Sequence, residues 1–226
     1  MTPWPTSADE LIAAQRALAA ATPDAWQPPA SRDPAIGAAV VIFPRGQAGR
    51  GARGDRAWAA AAVLRRRSVV AEATIDSAAT GPYEPGLLAL REGPSLEAAV
   101  RALAVTPDVL LVDATGADHP RRAGLALQLG AVLGLPTIGV THRPLLAHGE
   151  WPEDVRGARS WLTIDGDRVG AWVRTRTGAR PLAVHAGWRM TLEVAIDIVL
   201  SCALGHRTPE PFRHARRLAR ISRARR

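Results

Sequence analysis

Carboxylates at the ends of apolar runs are the residues whose type and placement could do chemistry here. In "DVLLVDATGADHPRR", residues 108–122, four apolar residues run straight into Asp113. Glu92, in "LREGP", follows an apolar segment and precedes a Gly-Pro break, and Glu84 lies in "PYEPG". An Asp and a Glu brought together at a sheet edge can hold Mg²⁺, which takes one or two carboxylates and completes its shell with water and phosphate oxygens. Such an ion can activate water for phosphodiester hydrolysis. With 21 acidic residues in the chain, spacing alone does not pair Asp113 with Glu92, and a turn residue is the bland alternative for Asp113.

Strands and helices must bring these groups together. "AIGAAVVIF" reads as a buried strand, and "AWAAAAVL" and "SVVAEATI" as two more, with a connection short enough for a hairpin. "GPYEPGLLALREGP" reads as a loop with a short apolar helix or turn, and "SLEAAVRALAV" as a helix capped by Ser95. Residues 109–140 form a βαβ unit: a strand ending at Asp113, a helix in "RRAGLALQLGAVLG" and a strand in "PTIGV". "WLTIDGDRVGAWVRTR" is a hairpin turning at Asp165-Gly166-Asp167, and "PLAVHAG" is a further strand. An N-terminal helix opens on a capping box, Ser7 with Glu10. "TLEVAIDIVLSCALG" is a helix stopped by Gly205, and the basic C-terminal helix "FRHARRLARISRARR" is expected to fray. The fold class is therefore α/β, a single-domain mixed sheet flanked by helices. Sites in such open sheets lie beyond the C-terminal ends of parallel strands, where Asp113 falls.

The 226 residues suit one domain with a tail: residues 1–35 as helix and Pro-rich connector, 36–219 as the domain, 220–226 as a basic tail. The formal charge is +8 and every basic residue apart from histidine is Arg. Such a surface favours polyanions, nucleic acid first, although an Arg-rich composition alone would give the same charge. One cysteine, Cys202, allows no internal disulfide. The N-terminus reads as no secretory signal and no apolar run reaches spanning length, so a soluble cytoplasmic protein without membrane partners is expected.

"PYEPGLLALREGP", "DVLLVDATGADHPRRAGLALQLGAVLGLPTIGVTHRPL" and "AGWRMTLEVAIDIVLSCALGHRTPEPFRHARRLA" together resemble the endonuclease V family, in register from about Ile36 to the last helix. The resemblance implies a ribonuclease H-like fold and Mg²⁺-dependent cleavage of inosine-containing nucleic acid on the 3′ side of the deaminated base, with Mn²⁺ as an alternative ion. By the same resemblance Asp113 and Glu92 match metal-site carboxylates, and Tyr83 and Pro85 belong to a wedge that inserts beside the lesion. A flat ring suits stacking where a base has been displaced; the bland reading of Tyr83 is a rim residue of the core. Gly116 falls in the loop that shapes the base pocket. His119, Arg121 and Arg122 match "HPRR", with helix-start packing and charge balance as the alternative.

The departures bear on activity. The family's first-strand Asp, a central metal ligand, falls on Val40, and its "GHR" histidine falls on Trp188. Ala114 and Thr115 replace a Gly-His pair, His142 stands where a Lys is usual, and Glu84 takes an apolar position of the wedge. Val cannot ligate Mg²⁺ and Trp cannot act as the acid. The resemblance thus implies weakened metal binding, and cleavage weakened or lost. The alternative is a catalytically inactive module, monomeric, that binds DNA or RNA. Asp118 and His142 are the residues that would rebuild the site if activity survives.

Overall fold

The computed structural model describes residues 4–47 and 49–225. Its elements are α1 (Ala8–Ala19), β1 (Ala35–Ile42), β2 (Arg56–Arg65), β3 (Ser68–Ala78), α2 (Leu88–Arg101), β4 (Val109–Val112), α3 (Leu125–Leu133), β5 (Thr137–Thr141), β6 (Arg159–Ile164), β7 (Asp167–Val173), β8 (Leu182–Ala186), α4 (Leu192–Cys202) and α5 (Glu210–Ala224). The eight strands form one sheet in the order β3-β2-β1-β4-β5-β8-β7-β6. β1, β4 and β5 run parallel and the outer pairs antiparallel. This is the mixed sheet expected of a ribonuclease H-like domain. Among the described residues, no helix is long and apolar enough to cross a membrane.

The central strands are apolar on both faces because both are covered. Ala39, Leu110 and Val112 pack with residues of α1, α2 and α3, whereas Ile36, Ala38, Val40, Val109 and Leu111 pack with α4 and α5. β2 is buried from Ala57 to Leu64, and five of those eight positions are Ala. Their small side chains let α2 and α5 lie close against its two faces.

Several local expectations are corrected. Ser95 is no helix cap: it lies inside α2, which already starts at Leu88 and runs through Pro94. Proline lacks the N–H that would bond the Leu90 carbonyl. The Thr80 hydroxyl donates to that carbonyl instead, and its main-chain N–H donates to Arg91 O at 3.4 Å. The segment that leads into α2 thus supplies the donor that Pro94 lacks. α3 begins only at Leu125, and α4 ends at Cys202, before Gly205. The capping box forms as expected at Ser7, whose Oγ accepts the Glu10 N–H at 3.2 Å, while the Glu10 carboxylate also accepts the Thr6 N–H at 2.7 Å. The β6–β7 turn uses Asp165 and Gly166, both at positive φ as a type I′ hairpin requires, with Asp167 already in β7.

The C-terminal helix does not fray. Phe212, Ala215 and Ala219 are buried, and Arg223 donates to the Phe43 carbonyl at 3.0 Å. Packing of this i, i+3, i+7 stripe outweighs the weak intrinsic stability of a short Arg-rich helix. A chain ending at Leu218 is therefore expected to melt several degrees lower by circular dichroism, since it loses buried Ala219 and the Arg223 bond. An unchanged melting temperature would mean that the last turn and a half contributes nothing.

Candidate functional site at the ends of the parallel strands

Asp113 is the first residue past β4, at the C-terminal end of the parallel strands. Ala39 pairs with Val112, so one further residue in register sets Val40 beside Asp113. Strand alternation puts both on the face covered by α5. Val40 is 2% exposed and packed in the core, so an apolar side chain fills the position next to the carboxylate. From α5, Arg216 Nη2 donates to Asp113 Oδ2 at 2.6 Å.

Glu92 comes from α2. Its side chain keeps partial solvent contact, but protein crowds the carboxyl. Burial, then the negative charge of Asp113, push its pKa up to about 8, against the opposing pull of Arg91. Asp113 and Glu92 thus lie near enough to feel each other's charge. Because the folded pKa exceeds the unfolded value, the folded state holds the extra proton between pH 4.5 and about 8, and stability falls as pH rises through that window. Glu92→Gln is expected to flatten this slope in metal-free thermal melts and to raise the melting temperature at pH 8. An unaltered slope would assign it to other groups.

Beside Asp113 opens a cavity of about 170 Å³, walled by Tyr83, Glu84, Gly86, Ala114, His119 and Leu145 among others. Tyr83 stands at its rim, 45% exposed, and the neighbouring Pro85 is exposed. On one side, the loop that carries Tyr83 is held through the Gly86 carbonyl. It accepts from Gln15 Nε2 at 3.0 Å, Arg121 Nη2 at 2.7 Å and the His119 ring at 3.1 Å. The other His119 nitrogen accepts from the Arg121 N–H at 3.1 Å, so the ring carries its proton on Nε2 and is neutral. Burial, first of all, lowers the His119 pKa and keeps it so. On the opposite side, Tyr83 N–H donates to the Arg50 carbonyl at 2.7 Å, and buried Arg91 bridges Gly81 O and Asp55. The Gly/Arg-rich loop that follows β1 is tied down at these points; its Ala48 lies outside the described residues.

The remaining positions separate by location. Gly116 is buried where a Cβ would collide with the Ala186 carbonyl, so close backbone approach requires glycine. Arg122 pairs with Asp167 at 3.4 Å and Asp165 at 3.8 Å on the β6–β7 hairpin. Asp118 is no mobile reserve ligand. It is fully buried and accepts the N–H groups of Leu145, Leu146 and Ala147 at 2.6, 2.8 and 2.8 Å. Trp188 is not brought to Asp113. Its N–H donates to Thr137 Oγ1 and its carbonyl accepts from Thr137 N–H, at the start of β5. Asp113 lies three residues past Leu110, the partner of Thr137, which is about 10 Å along the sheet. His142 follows β5 and shares the wall of a small cleft with Phe212 and Arg216. Desolvation, then Arg207 and Arg216, lower its pKa against the pull of Asp113.

A divalent ion does not fit this donor set. Among the described residues, no three His, Cys, Asp or Glu side chains gather as a cation site. Asp113 and Glu92 remain, Val40 closes the third direction, and the Arg216 guanidinium already pairs with Asp113. Sequence reading missed Arg216 by treating the C-terminal arginines as diffuse charge. The stripe of Phe212, Ala215 and Ala219 was the available signal, because it turns the intervening Arg216 toward the sheet.

The sequence model of the Endonuclease V family matches residues 47–217, beginning just after β1 and Val40. The curated Endonuclease V of Roseiflexus sp. (strain RS-1) is 39% identical over 225 residues, covering 96% of this chain and 94% of its own. The crystal structure of Endonuclease V from Streptomyces avermitilis superposes with a TM-score of 0.87 at 35% identity, over 98% of this chain and 95% of that one. The catalytic domain of human Endonuclease V gives 0.82 at 30% identity, covering 96% of each. A Ciona intestinalis Endonuclease V, in complex with a 24mer DNA containing an inosine followed by a ribo-adenosine, shares the fold with a TM-score of 0.77 at 22% identity, over 96% of this chain and 98% of that one. The family is one of nucleic-acid nucleases, and this chain belongs to it.

Proposed function

We propose that this protein binds inosine-containing DNA or RNA through the Endonuclease V scaffold, as a monomer in the cytoplasm, and that its Mg²⁺- or Mn²⁺-dependent cleavage is weakened or lost. The observation that carries this reading is the surrounding of Asp113: apolar Val40 on one side and a paired guanidinium on the other. Metal-assisted hydrolysis needs the ion held in fixed geometry against water and phosphate, and two carboxylates with a competing cation do not hold it. Binding rests on other features. The charge is +8, an exposed Tyr83 rims a preformed cavity, and a three-donor clamp holds the wedge loop in place. Support for the substrate class comes from the family and from the inosine-containing DNA in the Ciona complex.

The test is one titration read in two ways, gel shift and strand scission, with labelled inosine and control strands over a salt series. The expected result is a shift without product, with log affinity falling against log salt by about 0.9 per phosphate neutralised on duplex DNA. Absence of any shift at low salt would overturn the reading. Within it, Tyr83→Ala is expected to reduce the preference for inosine strands by an amount corresponding to roughly 1–3 kcal/mol of stacking, with control strands nearly unaffected. Equal losses on both strands would make Tyr83 a packing residue.

A further inference from the structure

Arg216 is more than a surface charge. It sits one turn after Phe212 and beside Ala215, both buried, so α5 directs its side chain along the strand ends. The side chain is 23% exposed. Its Cζ lies 5.3 Å from the centroid of the Phe212 ring, which braces the guanidinium from below. One Nη2 hydrogen bond is made to Asp113, and His142 shares the adjoining cleft. An exposed ion pair free to move would carry little meaning. This one is braced, and it lies on the carboxylate oxygen that a divalent ion would need at about 2.0–2.6 Å.

Two cations cannot share that oxygen without repulsion. Guanidinium also offers five donors in a planar fork, of which Asp113 takes one. The others suit phosphate oxygens, the ligand for which that fork is well shaped. We propose that Arg216 is the resident cation of this site: it neutralises Asp113 in place of a divalent ion, keeps that ion out, and gives a bound strand a metal-free phosphate contact. The phosphate contact rests on the strand-binding reading above; exclusion of the ion does not.

The experiment has two arms on the full chain. In the first, Mn²⁺ is titrated against wild type, Arg216→Gln, Arg216→Met and Arg216→Lys, with free Mn²⁺ read by electron paramagnetic resonance. Met keeps the apolar stem against Phe212, so a charge-free variant remains available if Gln destabilises α5. Removing the charge is expected to tighten Mn²⁺ binding about tenfold or more, as the repulsion between a single and a double charge about 5 Å apart in water implies. Lys should bind Mn²⁺ like wild type. In the second arm, strand affinity is measured in Mg²⁺ and in EDTA at matched ionic strength. Wild type should be indifferent to Mg²⁺, whereas Gln or Met should bind more weakly in EDTA, with a salt slope smaller by about 0.9. Equal Mn²⁺ affinity in wild type and the charge-free variants would overturn the exclusion. Equal EDTA affinities and slopes would overturn the phosphate contact. A wild type that binds no strand would overturn the strand-binding reading and the phosphate contact with it, while the Mn²⁺ arm still decides the exclusion.

Discussion

Val40→Asp is expected to lower the melting temperature by roughly 10 °C in metal-free buffer, and Mn²⁺ should recover part of the loss. The new carboxylate would enter a position that is 2% exposed, beside Asp113 and near Glu92. Arg216 is already bonded to Asp113, so the new carboxylate finds no free partner, and a buried unpaired charge costs about 3–5 kcal/mol. For a domain of this size each kcal/mol shifts the midpoint by roughly 2–4 °C. An ion bound by the folded state alone, at a hundred times its Kd, returns about 2.7 kcal/mol. Cleavage should follow the same logic. Val40→Asp with Arg216→Gln is expected to cut where neither single variant does, because one restores a ligand and the other removes the competing guanidinium. Trp188→His should add nothing, since Trp188 is bonded to Thr137 at the far end of β5. A Val40→Asp protein that melts like wild type with and without Mn²⁺ would mean that the side chain does not face Asp113.

Asp118→Ala is expected to be comparably severe, and for a structural reason. Asp118 is a buried carboxylate holding three consecutive N–H groups, those of Leu145, Leu146 and Ala147. Truncation strands these donors, and each unsatisfied buried group costs about 1–3 kcal/mol. The loss should reach several kcal/mol, or roughly 10 °C or more in midpoint. Leu145 walls the cavity, so strand affinity should fall with stability. Asp118→Asn keeps one acceptor oxygen and should lie between. A near-neutral Asp118→Ala in thermal melts would show that the segment is held by other contacts.

These outcomes separate what the residue pattern could show from what it could not. The run Val109–Val112 into Asp113 was readable because a buried parallel strand is a continuous apolar stretch with a local end. Val40 was named through the family resemblance, and the pairing of β1 with β4 sets it against Asp113. Glu92 was harder. Pro94 signals a helix break, yet α2 runs through it and Thr80 takes up the carbonyl that the proline leaves free. Asp118, His119 and Arg121 look like ligands in a string, yet their partners lie 27 to 106 residues away. The structure commits them to holding the 145–147 segment and the loop that carries Tyr83. Trp188 was misplaced because a motif carries no information about which end of a strand it caps. Arg216 was missed for the opposite reason. Its role depends on a helix crossing the sheet to meet a residue 103 positions earlier.

The most direct measurement is strand scission by the unmodified protein in Mg²⁺ and in Mn²⁺, on inosine-containing DNA and RNA, set against Asp113→Ala under identical conditions. With Asp113 paired to Arg216 and Val40 at its side, the two proteins should give the same background product while wild type still shifts the strand. Robust metal-dependent product from wild type, abolished by Asp113→Ala, would contradict the account and mean that Asp113 and Glu92 hold a working ion despite both replacements.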